Sequence, residues 1–369
     1  MNTNIKIVTG CGYHPSHMMP ADSTDFMSIP AEAQFVELGL AELERHNNIA
    51  LYPGCELSLH LARSPICEDE ESQNNFCEFV QEKISRNSNK VSSIGVHLTG
   101  NRNQGLGKLG FSSHFKTSAV NEDNAIRFIK KLKNQTALPV WIENANFYSS
   151  SAEEVIQNWE SARRILDSAE AKLIFDLTHS YIECHNLGLS PEFIFALIPW
   201  KCVVEIHISG FVVGADGALH DGHSQPVKPE IWQWLQFILE HFVTSSEVIV
   251  NIEHTDLSWT RKPAQYAEEF ALLKNFKFSR KQTSVFSQKQ IDYAISNLNR
   301  IVSLRHPEIQ NLLSAYGYEQ RDVLSAWIQE FMQGDLRLVF SKNEVSAAEE
   351  KVTVTLMDGF NEYIRKSLV

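Results

Sequence analysis

From residue 4 to about residue 275, short β-branched runs alternate with stretches whose apolar positions recur every three or four residues. The runs predict strands over 4–9, 55–60, 92–98, 138–143, 172–177, 203–208 and 246–253. Helical patterns lie between them, near 31–46, 73–86, 121–135, 152–168, 191–198, 228–242 and 263–274. Start signals support several of these, such as Ser151 ahead of Glu153 and Glu154, and Pro229 ahead of IWQWLQFILEH. Strand and helix in regular alternation make a parallel sheet. Seven or eight such units close most economically as an α/β fold of the (β/α)8 TIM type, with one of the eight strands not evident in the pattern.

Past residue 276 the character changes. SRKQTS (279–284) reads as a linker, Ile291, Ile295, Leu298 and Ile301 give a helical stripe, and Val323, Leu324, Trp327, Ile328 and Phe331 give another. Two short strand-like runs (337–341 and 351–356) and a terminal helix follow. The expected organisation is a barrel over 1–275 and a mainly helical C-terminal domain or lid over 276–369, apolar on one side of each helix.

Composition narrows the function classes. The 369 residues are 43% apolar and 21% charged, as in soluble globular proteins. A net charge of −12 argues against a nucleic-acid partner, because phosphate binding needs a dominating basic patch. The six cysteines form no CxxC pair and read as reduced thiols, so a cytoplasmic location is expected. MNTNIKIVTG has no basic segment followed by a long apolar one, and the longest apolar stretch, around Phe193 to Trp200, is too short to cross a bilayer; no membrane partner is expected.

Candidate chemistry lies at the strand ends. His60, His97, Glu143, Asp176 with His179, His207, Asp221 with His223, and Glu253 are nine oxygen or nitrogen donors, nearly all preceded by an apolar, β-branched run. Taken singly, a histidine in a strand is more often a hydrogen-bonded structural residue, and a carboxylate at a strand end is often a helix cap. The joint pattern points elsewhere. Each donor falls at the C-terminal end of its strand, the face where such barrels carry their sites. Asp176 and His179 cross from strand end into loop, and Asp221 and His223, two apart on an extended segment, can address one ion. Several buried charges of one sign need cations, and imidazoles with carboxylates suit iron, zinc or manganese. Nine donors serve two or three ions.

The series also resembles the trinuclear site of endonuclease IV and its relatives in the xylose-isomerase-like barrel superfamily, which runs His, His, bridging Glu, Asp-x-x-His, His, Asp-x-His, Glu. That resemblance implies one ion on His60, His97 and Glu143, a second on Glu143, Asp176, His207 and Glu253, and a third on His179, Asp221 and His223. The residues around the donors are more similar to the multinuclear non-haem iron-dependent oxidase family of MbnB, TglH and ChrH. ENANFY (143–148) resembles its E-N-x-x-x-Y, VVEIHISGF its V-x-E-I-H-L-A-G-H, and HDGHSQPVKPEIWQWL its D-T-H-x-x-P-V-x-x-x-V-W-x-L. FDLTHSYIECHNLGLSPEFIFALIP (175–199) resembles its Asp-containing strand, turn and Leu-Pro, and together these cover roughly 50–256. His179 stands where that pattern has Asn, Phe211 replaces the His of A-G-H, and His185-Asn186 reverses the usual order.

The family resemblance implies an enzyme that uses O₂ and two or three irons, Fe(II)/Fe(III), to modify cysteine residues of a ribosomally made peptide. It implies catalytic roles for Glu143 and Tyr148, although Tyr148 also reads as a core aromatic. Members often work with a separate partner protein that presents the peptide, and residues 276–369 are a candidate for part of that task. The alternative is a divalent-metal hydrolase or isomerase of the endonuclease IV or sugar-isomerase kind, since nitrogen and oxygen donors serve zinc and manganese equally. GLGKLG (105–110) lacks the phosphate-loop order and reads as a flexible loop over the barrel mouth. His14 and His17 read as loop residues near the site.

Overall fold

The structure, a computed structural model, describes residues 5–12, 14, 28–45, 54–87, 90–101, 114–145 and 147–278. Chain contacts divide the molecule into Met1–Ser150 with Gln157–Arg280, and Ser151–Ile156 with Lys281–Val369. Of the second unit only the opening of one helix is described, so the elements expected beyond residue 278 lie outside the described residues, as do His17 and GLGKLG.

In chain order the elements are β1 (Lys6–Gly12), β2 (Phe35–Leu38), α1 (Leu40–Arg45), β3 (Glu56–Leu61), α2 (Glu70–Arg86), β4 (Val91–His97), α3 (Ala119–Thr136), β5 (Val140–Glu143), α4 (Ala152–Ala169) and β6 (Lys172–Asp176). There follow α5 (Leu177–Leu187), α6 (Pro191–Leu197), β7 (Val203–Ile208), β8 (Phe211–Val213), β9 (Leu219–Asp221), α7 (Pro229–His241), β10 (Glu247–Glu253) and α8 (Pro263–Lys274). Eight strands close into a parallel barrel in the order β1-β10-β7-β6-β5-β4-β3-β2, while β8 and β9 pair as an antiparallel hairpin outside it. The fold is the (β/α)8 barrel that the alternation predicts.

Local chemistry sets the helix ends. The Ser72 amide donates to the Asp69 side chain at 2.8 Å at the start of α2, whose first turn carries Glu70 and Glu71 and whose last turn carries Lys83 and Arg86. Ser118 caps α3 by accepting from the Asn121 amide, and Ala137, left-handed at φ 56°, ends it. Prolines open α6, α7 and α8.

Three elements differ from the expected pattern. The eighth strand is β2, in a stretch where Phe35, Val36, Leu38, Leu40 and Leu43 imitate helical spacing. Pairing with both β1 and β3 claims the first half of that stretch, leaving only the six residues of α1. Asp176 leads into a helix rather than a loop: its side chain accepts the His179 amide at 2.6 Å, capping α5, which ends at left-handed Gly188. Asp221 ends β9, and His223 sits in the turn that follows rather than on the same extended segment.

Alternation along each strand inverts the usual polarity. Outward residues such as Leu59, Ile94, Val96, Phe175, Ile206, Val250 and Ile252 are buried and apolar, filling the layer between strands and helices. Residues of the opposite parity turn inward; near the site they are polar or small, while Phe35, Trp141 and Ile174 fill the interior below it. Ser93 donates to Ser58 at 3.0 Å, and the Asn251 amide reaches Glu37 and Glu205 at 2.7 and 2.9 Å. Phe35 stacks on Trp141 with ring centroids 6.1 Å apart. Gly95 is required for space, since a Cβ there would stand 2.9 Å from His60 Nδ1 and 2.8 Å from the Ile174 side chain.

Candidate metal centre

Parallel register brings the donors to one height. His97 is the register partner of Glu143, Asp176 of His207, and Gly12 aligns Glu37 with Glu253 across β1. His60 Nε2 and His97 Nε2 are 2.8 Å apart, and they lie 2.9 and 3.1 Å from Glu143 Oε2. Three donors that close together match the edges of a coordination sphere with bonds of about 2.1 Å. Glu143, Asp176, His207 and Glu253 form a second convergent set within 4.8 Å of one another. His207 Nδ1 is 3.4 Å from Glu143 Oε1 and 3.5 Å from Glu253 Oε2. Glu143 is therefore common to both sets.

His179, Asp221 and His223 meet differently. Asp221 Oδ2 lies 2.7 Å from His223 Nε2 and 3.4 Å from His179 Nε2, so the trio is strung on the carboxylate and is not one of the convergent groups among the described residues. The ring orientations are set from behind: His179 Nδ1 is 2.6 Å from the Ala145 carbonyl and His223 Nδ1 is 2.9 Å from that of Glu253. Each Nε2 is thereby turned toward Asp221.

Sequence reasoning missed the residues beneath the donors. Glu37 on β2 lies 2.9 Å from His60 Nδ1 and 3.3 Å from His207 Nε2. With His60 and His207 it forms a third convergent set. Glu205 is 3.3 Å from His207 Nε2. Asn144, next to Glu143, accepts from the Asp176 amide at 2.8 Å and donates to the Asp176 carbonyl at 3.2 Å, tying β6 to β5. One signal was available: Glu205 and Asn251 each precede a donor by two positions and so share its inward face.

The electrostatics are those of a site with too much buried negative charge. Glu37, Glu143, Asp176, Glu205 and Glu253 are all buried. Burial pushes Asp176 up to about 6 and, with Glu37, pushes Glu205 up to about 7. Burial also works against Glu143, but His97, His207 and His60 outweigh it and hold its carboxyl well below the usual range. Burial would lower His60 and His207, yet Glu37 and Glu143 hold both well above the ordinary imidazole value. Glu143 Oε2 and both ring nitrogens of His207 are buried without a hydrogen bond of proper geometry. Leaving such atoms unsatisfied costs about 1–3 kcal/mol each. Cations would satisfy these atoms and the carboxylate charge together, so the donor set fits a metal.

Beside the donors a cavity of about 250 Å³ opens between the ends of β5 and β9 and α5. His179 and Asp221 reach it from the centre, and Tyr148, Glu183 and Asn186 line its sides. Tyr148 is 51% exposed, so it is not a core aromatic; its ring lies 6.1 Å from that of His179 and 4.9 Å from that of His114. Asn186 exchanges two hydrogen bonds with the Leu219 backbone, at 2.9 and 2.8 Å, and pins the hairpin to α5. His14 is buried edge-on against Tyr266, with ring centroids 5.4 Å apart, and packs there instead of joining the donors.

Fold and site define a class: a (β/α)8 barrel with imidazoles and carboxylates converging at the C-terminal ends of its strands. The chain belongs to the MbnB/TglH/ChrH family, described as RiPP precursor modification enzymes, which matches residues 9–260. A UPF0276 protein of Vibrio vulnificus (strain YJ016) is 33% identical over 107 residues, 28% of this chain and 37% of the relative. A UPF0276 protein of Acaryochloris marina (strain MBIC 11017) is 28% identical over 103 residues, again 28% and 37%. The chain thus matches well under half the length of these curated relatives. Among solved structures, the IolI protein with a bound zinc atom aligns over 72% of this chain and 97% of its own, at TM-score 0.46 and 11% identity. D-psicose 3-epimerase in the presence of D-fructose aligns over 72% and 98%, at TM-score 0.42 and 13% identity. No helix among the described residues is long and apolar enough to cross a membrane.

Proposed function

We propose that this chain is a multinuclear iron-dependent oxidase that uses O₂ to modify cysteine residues of a ribosomally made peptide. The observation that carries the reading is the pair of donor sets sharing Glu143, in a chain that belongs to a family of peptide-modifying enzymes. His60, His97 and Glu143 would hold one ion, and Glu143, Asp176, His207 and Glu253 a second. Asp221 with His179 and His223 would hold a third, on the cavity side. When bound, iron supplies a redox-active centre for thiol and O₂, which nitrogen and oxygen donors tolerate in either oxidation state.

The chain's own residues prepare that chemistry. Glu143 holds both donor sets together and keeps its negative charge. Asn144 holds the Asp176 backbone, and the cap on α5 orients its carboxylate, one oxygen of which accepts from the His179 amide. The cavity beside His179 and Asp221 admits a side chain the size of cysteine, with Tyr148 at its open side. The strand layer buries His60 and His207 fully, while His97 keeps part of its ring exposed. The proposal includes a peptide-presenting partner protein, with residues 276–369 taking part in holding the peptide.

Anaerobic reconstitution with Fe(II), followed by metal analysis and O₂ uptake, tests the reading. Two to three irons per chain and O₂ uptake that depends on a cysteine-containing peptide, and not on its serine analogue, are expected. Iron-loaded protein that consumes no O₂ with any cysteine peptide would overturn the oxidase. Turnover of a hydrolysable or isomerisable substrate with zinc and without O₂ would instead establish the hydrolase or isomerase reading.

A further inference from the structure

We propose that Glu37 is a positioning residue for the metal centre, a single carboxylate that holds one histidine of each donor set and joins the two sets from beneath, as Glu143 joins them from above.

His60 belongs to the first set and His207 to the second, and each ring lies between the same two carboxylates. His60 presents Nδ1 to Glu37 Oε1 at 2.9 Å and Nε2 to Glu143 Oε2 at 2.9 Å. His207 presents Nε2 to Glu37 Oε2 at 3.3 Å, as close as Glu205 Oε1 comes to it, and Nδ1 to Glu143 Oε1 at 3.4 Å. These are ion-pair contacts, longer than the hydrogen bond Glu37 makes to His60. A neutral imidazole has one N–H and one lone pair, and an ionised carboxylate only accepts. An N–H placed on Glu37 therefore leaves the lone pair of each ring aimed at the donor set above. Carboxylates behind ligating histidines fix tautomer and ring angle in this way, and their loss weakens metal binding about 10–100-fold. What is particular here is that one carboxylate serves two rings on different sets.

Glu37, His60 and His207 also converge closely enough to suggest another ion, but the contacts argue otherwise. Glu37 Oε2 already accepts from the Asn251 amide at 2.7 Å, and the 2.9 Å contact to His60 is a hydrogen bond. An ion there would take the ring nitrogens that face away from Glu143. Glu37 itself is fully buried and does not line the cavity beside His179.

The inference rests on the cluster being a metal centre, and on neither iron nor O₂. Cobalt(II) chloride titration of the metal-free, full-length protein, read by visible d–d absorption, tests it with wild type and Glu37→Gln. The expected result is binding at both sets weakened about 10–100-fold with a changed absorption spectrum, while the circular dichroism of the metal-free variant matches wild type. Wild-type affinity and spectrum in the variant would overturn the proposal, as would a loss confined to one binding step. Wild type that takes up no cobalt would overturn this proposal and the metal reading together. If Glu37→Gln fails to fold, Glu37→Asp keeps the charge but falls short of spanning both rings. The same loss at both steps is expected of it, and wild-type binding by folded Glu37→Asp would overturn the proposal.

Discussion

His97 and Glu143 are register partners on adjacent strands, and that pairing sets His97 Nε2 3.1 Å from Glu143 Oε2. His60 reaches the same oxygen at 2.9 Å, while His207 approaches the other at 3.4 Å. One carboxylate, placed by strand register alone, therefore stands in two donor sets.

Glu143→Gln should consequently lose more than one metal per chain, measured by elemental analysis after reconstitution. Removing one member of a buried charge cluster should also cost the metal-free protein about 3–5 kcal/mol in urea unfolding. Full metal occupancy in this variant would remove Glu143 as the shared ligand.

Asp221 Oδ2 stands between His179 and His223, 3.4 Å from one Nε2 and 2.7 Å from the other. It sits at the end of a short hairpin and not in the barrel wall. Asp221→Ala should remove about one metal and leave the other sets and the circular dichroism intact. Unchanged occupancy together with unchanged turnover would show that the trio holds no ion needed for the reaction.

Most of the donors were legible because each follows an apolar run that needs no tertiary knowledge to recognise: IGVH, VWIE, VVEIH and VIVNIE all end in one. Glu37 was not, because FVEL is four residues long and its apolar neighbours continue at helical spacing into LAELER. Only barrel closure, with β2 between β1 and β3, shows that its charge points inward. Helix α5 escaped for a different reason: LTHSYIECHNL has no strong amphipathic stripe, and its start depends on the Asp176 cap. The GADG turn between β8 and β9 carried an ordinary hairpin signal that the surrounding motif resemblance obscured. How His179 and His223 stand toward each other depends on that hairpin and on α5, and no spacing along the chain encodes it.

Gly95 separates β3 from the Ile174 side chain at the height of His60. A methyl group there would stand 2.9 Å from His60 Nδ1 and 2.8 Å from Ile174 Cδ1. Gly95→Ala should destabilise the fold by about 1–3 kcal/mol through overpacking, and should displace the His60 ring from Glu37. Loss of cobalt(II) affinity beyond the loss of stability is the expected signature. A variant with wild-type unfolding midpoint and wild-type metal binding would show that the strand gives way without moving the ring.

The titrating groups predict different pH slopes for metal-free and metal-loaded protein. In the metal-free state burial raises Asp176 to about 6, and burial with Glu37 raises Glu205 to about 7. Burial opposes protonation of His223, but Glu253 and Asp221 push it up to about 10. Each of these groups holds its proton more tightly folded than unfolded. Its contribution to stability is complete below the unfolded value and is lost as pH rises through the folded one. The carboxylates held low, Glu37 at about 2 and Glu143 below its usual range, contribute above their unfolded values and lose that contribution only in strong acid. Between about pH 5 and about pH 9 the first group dominates, so the metal-free protein should lose stability as pH rises. Metal binding needs the same imidazole lone pairs and carboxylates free of protons, so affinity rises over that interval and should flatten or reverse the slope. Urea unfolding midpoints of both forms across the interval are the measurement. A metal-free protein that gains stability toward pH 9 would mean that these groups are not held as buried neighbours in solution.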